Sequence, residues 1–140
     1  MSKLLQRLMD PSRSGVYRTR GAAPVLDAVR GSTLDCAQVS LAAAREKDAM
    51  LGKIAGSLGF PGWFGGNWDA LEDCLTDLSW RAAQGHVFLF EDFSLGDELG
   101  ILLDILATSA ESWAARRRPF FAIFVDPQQT LALAELFRER

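Results

Sequence analysis

Two short stretches in the second half of the chain are apolar at every position, Val87-Phe88-Leu89-Phe90 and Phe120-Phe121-Ala122-Ile123-Phe124-Val125. Continuous apolarity over so few residues predicts strands covered on both faces. Between them Leu99, Leu102, Leu103, Leu106, Ala110 and Trp113 recur at i, i+3, i+4, i+7, i+11 and i+14, which predicts one long helix with its stripe on the sheet. Strand, helix and strand at this spacing call for a parallel crossover, right-handed as such units almost always are. In the first half, residues 33–41 alternate as a strand. Met50, Leu51, Ile54, Ala55 and Leu58 place a helix over 47–58, stopped by Gly59. A further helix starts at Asn67, with Ala70, Leu71, Cys74, Leu75 and Leu78 as its buried side. Short helices are predicted over 4–9 and 24–29, with a breaker over 10–15 and Val16-Tyr17-Arg18 as a short edge strand. Leu131, Ala134, Leu136 and Phe137 predict a final amphipathic helix over 127–140.

These elements predict an α/β fold: a small parallel sheet of about three core strands, with room for one extra edge strand, flanked by helices. The core domain spans 31–126, preceded by an N-terminal extension over 1–30 and followed by a C-terminal helical extension over 127–140, all within one compact domain. A length of 140 residues with 49% apolar content suffices for one real core.

Charge and cysteine content narrow the classes. A net charge of −3 and a pI near 5.1 are the reverse of the basic surplus of a nucleic-acid binder and favour a basic partner. Cys36 and Cys74 show neither metal spacing nor a disulfide framework, so a reducing cytoplasm is the expected compartment. Arg7 and Asp10 interrupt the apolar run of Leu4, Leu5, Leu8 and Met9, so neither export nor a membrane anchor is expected.

The densest chemistry lies over 60–75, where a loop containing Pro61, Gly62, Trp63, Phe64, Gly65 and Gly66 runs into the helix capped by Asn67. Asp69, Glu72 and Asp73 stand at i, i+3 and i+4 and so share one helical face near its start. Two readings of those carboxylates stay open. They complement the positive end of the helix dipole, or they form an anionic binding face beside two large aromatics. Of the aromatics, Phe64 is the one expected to enter the core.

Pro61, Trp63-Phe64, Gly65, Asn67, Asp69-Ala70-Leu71 and Asp73-Cys74-Leu75 resemble the signature of the barstar family of ribonuclease inhibitors. The likeness is strongest over 60–77 and extends in element order from 34 to 125. It implies a barstar-like fold and an intracellular protein that plugs the active site of a partner ribonuclease or related toxin. By this resemblance Asp73 carries the carboxylate that enters the nuclease phosphate site, Asp69 and Asn67 make neighbouring polar contacts, and Trp63 packs at the edge of the base site. Phe64, Gly65, Trp68, Glu72 and Thr76 complete or flank the contact. The chain departs from the founding inhibitor at Trp63 and Phe64, which stand where it has tyrosines, and at Glu72, which replaces an aromatic.

Enzymatic readings have less support. His86 is the single histidine, expected as a satisfied surface or strand-start residue. Gly65 and Gly66 lack the lysine and hydroxyl of a phosphate-binding loop. Arg116-Arg117-Arg118 precede Pro119 as cations at a helix end. No catalytic residue, metal or cofactor is expected. The alternatives are an interaction or immunity module for a partner other than a ribonuclease and, further off, a carboxylate- or cation-dependent hydrolase built on Asp69 and Asp73.

Overall fold

The computed structural model describes residues 1–138, which form five strands, five α-helices and a single 3-10 turn over Pro11–Arg13. The order along the chain is α1 (Lys3–Leu8), β1 (Gly15–Thr19), α2 (Ala23–Val29), β2 (Leu34–Ser40), α3 (Lys47–Leu58), α4 (Trp68–Asp77), β3 (Gly85–Glu91), α5 (Asp97–Ala115), β4 (Phe120–Val125) and β5 (Ala134–Glu135). All strand pairs are parallel, in the order β2-β3-β4-β1-β5. The three core strands and the extra strand at Val16-Tyr17-Arg18 are those predicted, and the sheet gains β5 beyond β1.

The unbroken apolar runs of β3 and β4 have the expected cause. Phe88, Phe90, Phe120, Ala122 and Phe124 face a cluster shared with α3, α4 and α5, while Val87, Leu89, Phe121 and Ile123 face a second one shared with α1 and α2. Phe90 and Phe124 are cross-strand partners, with rings stacked at 4.9 Å and 12°. Such a pair adds up to about 1 kcal/mol beyond the 1.5–3 kcal/mol that burying each ring contributes. Gly85 starts β3 as a glycine because an added Cβ would lie 2.7 Å from the Pro119 carbonyl oxygen.

Three expectations need correction. Residues 127–138 contain no helix; Glu139 and Arg140, which the predicted helix included, lie outside the described residues. The buried Asp126 carboxylate accepts from the Thr130 amide (3.0 Å), the Thr130 hydroxyl (2.9 Å) and the Leu131 amide (2.9 Å), so the chain turns here. Leu131 then packs on one face of the sheet and Leu136 on the other. Secondly, Val16-Tyr17-Arg18 is not an edge, since β1 pairs with β4 on one side and β5 on the other. Thirdly, of the two places expected for His86 the strand start holds and the surface does not: it is the second residue of β3, with its side chain 2% exposed. No helix among the described residues is long and apolar enough to cross a membrane.

Candidate functional site

The loop and α4 are fixed from both ends by local chemistry. Gly59 takes the left-handed conformation (φ 64°) that closes α3, and the Phe60 amide bonds back to the Ala55 carbonyl at 3.0 Å. The Phe64 amide bonds the Pro61 carbonyl at 3.1 Å, making a tight turn. Gly66 has φ 70°, a conformation that strains other residues. Asn67 then caps α4, its Oδ1 accepting from the Ala70 amide at 2.7 Å. Such a cap is worth about 1 kcal/mol.

The far end of α4 is tied to α5. Leu71, Cys74, Leu75 and Leu78 are buried as predicted, whereas Ala70 is half-buried. Trp113 Nε1 donates to the Leu75 carbonyl at 2.7 Å and Arg116 donates to the Thr76 carbonyl at 2.7 Å, so two terminal carbonyls of α4 are satisfied from α5. Leu78 ends the helix in the left-handed region (φ 47°), its amide bonding the Cys74 carbonyl at 3.0 Å. Burial, with the negative charges of Asp77 and Asp73, pushes the Cys74 thiol up to about 11.

The predicted residues fall into three groups. Asp69, Asp73, Asn67, Gly65 and Trp63 are exposed, Trp63 to 59%. Among the described residues, none of Asp69, Glu72 and Asp73 forms an ion pair. Phe64, Trp68 and Glu72 are half-buried, and the two aromatics pack against the main core. Thr76 turns its hydroxyl onto its own helix, donating to the Glu72 carbonyl at 2.8 Å and the Asp73 carbonyl at 3.2 Å.

Trp80 is the residue that sequence reasoning missed. Its indole lies edge-on to Phe60 (5.7 Å) and Trp63 (6.2 Å), and its Nε1 donates to the Leu58 carbonyl at 3.0 Å. Phe60 in turn meets Phe64 edge-on at 4.9 Å. The exposed Trp63 therefore stands on an aromatic cluster anchored to the end of α3. No local sequence signal marks Trp80, because its contacts come from the loop some twenty residues upstream.

A second polar assembly lies at the start of β2 and β3. Asp35 accepts two hydrogen bonds from Arg81 (2.7 and 2.8 Å) and faces His86 Nδ1 at 2.9 Å. Burial opposes the charge on Asp35, yet the bonds to His86 and Arg81 outweigh it and hold the carboxyl down at about 2.

Fold and surface together define a parallel α/β protein that presents an acidic helical face, without ion pairs among the described residues, beside an exposed, pre-positioned indole. Residues 34–125 match the family model described as Barstar (barnase inhibitor), so the chain belongs to the barstar family. No curated protein matches the chain. The match covers β2 through β4, including the loop and α4; α1, β1, α2 and β5 lie outside it.

Proposed function

We propose that this protein binds a basic ribonuclease of the barnase type, or a related toxin, and blocks its positively charged active site with the 60–76 loop and helix. The observation that carries the reading is the set of three carboxylates, Asp69, Glu72 and Asp73, without ion pairs among the described residues and gathered on one face of α4. A structural role in the dipole would suffice for Asp69 in the first turn; Asp73, further along the helix, gains little from it.

A ribonuclease cleft must hold phosphate and so concentrates cationic side chains. Asp73 enters that cleft and accepts charge-assisted bonds, bidentate where the donor is arginine. Asp69 and the Asn67 amide nitrogen extend the polar contact. Trp63 and Gly65 pack against the rim, with Phe64 and Trp68 holding the loop from below. Glu72 and Thr76 border the contact. Inhibition is steric occlusion driven by complementary charge, with no chemical step and no cofactor, and encounter is fast and salt-sensitive. The α4 face acts in a reducing cytoplasm, beside the nuclease it restrains.

Calorimetric titration against a basic barnase-type ribonuclease at two salt concentrations tests this reading. One-to-one binding that weakens as salt rises is expected. Absence of binding to such nucleases would redirect the acidic face to a different partner.

A further inference from the structure

At the C-terminal end of α4, just beyond Thr76 at the border of the proposed nuclease contact, lies a cavity of about 440 Å³, lined in part by Asp77, Arg81, His86, Trp113, Arg116 and Arg118. We infer that this cavity is a binding site for a phosphoryl group that retains a proton, held by Arg116 and Arg118 and hydrogen-bonded to His86 Nε2. The inference is independent of nuclease binding.

The tautomer of His86 sets the ligand's chemistry. Its Nδ1 faces Asp35, a carboxylate kept ionised by two bonds from Arg81 and therefore able only to accept. In the neutral ring Nδ1 carries the hydrogen, leaving a lone pair on Nε2. That atom makes no hydrogen bond among the described residues but is not sealed off, keeping a narrow opening, while the side chain as a whole is 2% exposed and lines the cavity. An O–H donor satisfies it.

The arginines supply the complementary donors. Arg117 takes φ 59° at the end of α5, and the Arg118 amide returns to the Trp113 carbonyl at 3.0 Å, which brings Arg118 to the cavity. Among the described residues the Arg118 guanidinium makes no hydrogen bond or ion pair. Arg116 lies 3.8 Å over the Trp113 ring and spends one terminal nitrogen on Thr76 and Ser112, keeping the other for a ligand.

The lone pair on Nε2 explains why the ligand brings its own proton. An oxyanion with no hydrogen to offer would set its own lone pairs against that of Nε2, however well Arg116 and Arg118 draw it in. Hydrogen phosphate and phosphomonoester monoanions fit, accepting from arginine and donating to Nε2; sulfate does not.

The single histidine gives an unambiguous probe. Its ring signals are followed by NMR near neutral pH while inorganic phosphate, methyl phosphate or sulfate is added at constant ionic strength. Saturable shifts are expected with a phosphate species, with sulfate about tenfold weaker for one lost hydrogen bond. Arg118→Gln, at an exposed side chain that leaves the fold intact, weakens the phosphate response about tenfold or more. With affinities referred to the protonated species, about one tenth of methyl phosphate at pH 7, binding of methyl phosphate as tight as that of inorganic phosphate identifies a larger phosphoryl ligand, and preference for the free ion identifies phosphate itself. An equal sulfate response, a response without saturation, or one unchanged in Arg118→Gln overturns the inference.

Discussion

Replacing Asp35 by asparagine keeps the side chain's shape and removes its charge. In the folded protein the carboxyl sits at about 2 instead of its ordinary 3.8, because the bonds from His86 and Arg81 outweigh the cost of burial. That drop corresponds to about 2 kcal/mol of stability. The folded-state value is the depressed one, so the contribution is complete above pH 3.8 and is lost as pH falls towards about 2. Asp35→Asn is therefore expected to lose about 2 kcal/mol at neutral pH, lowering Tm by about 8 °C for a chain of this length. Urea denaturation of both proteins from about pH 7 down to about pH 2.5 measures the gap, which should narrow steadily across the acid end of the range. Asp126 leaves some acid sensitivity in both: burial raises it, but the Leu131 and Thr130 donors and Arg18 lower it further. A gap under about 0.5 kcal/mol at neutral pH, or one that stays constant as pH falls, would refute the reasoning.

Other substitutions isolate single features. Trp80→Phe keeps the ring contacts and loses the bond to Leu58; since Arg81 also reaches that carbonyl at 3.3 Å, the cost should be only about 1 kcal/mol by denaturant titration, and a loss above about 3 kcal/mol would contradict it. Gly85→Ala forces a Cβ against Pro119, 2.7 Å from its carbonyl oxygen, and should cost about 1–3 kcal/mol in the same assay; an unchanged midpoint would show that the strand start yields freely. Burial raises both thiols, Cys74 to about 11, so iodoacetamide near pH 8 should leave the native protein unmodified and label Cys36 and Cys74 only after unfolding; rapid native labelling of Cys74 would contradict the packing of α4.

The parts of the fold visible in the sequence are those specified by local periodicity. β3 and β4 read as strands because each alternate residue has a core to enter, and α3 ends at Gly59 because that residue takes the left-handed turn. The C-terminal segment misled for a physical reason. Leu131, Ala134, Leu136 and Phe137 fit helical spacing, but Asp126 captures the amides that would begin the helix, and Leu131 and Leu136 go to opposite faces of the sheet. The candidate site was legible where it is local, as in the Asn67 cap and the face shared by Asp69, Glu72 and Asp73. Trp80 was not, nor was the meeting of Asp35, Arg81 and His86, which requires the β2–β3 register that sets Asp35 beside His86.

The most direct test of the central claim is RNA cleavage by a basic barnase-type ribonuclease in the presence of this protein, its Asp73→Ala variant, or Asp27→Ala on α2 at the opposite face of the sheet. The account predicts stoichiometric inhibition by the wild type and by Asp27→Ala, with Asp73→Ala weakened by about 2–5 kcal/mol, a loss of roughly thirtyfold to several thousandfold in affinity. Inhibition by Asp73→Ala equal to that of the wild type would contradict it.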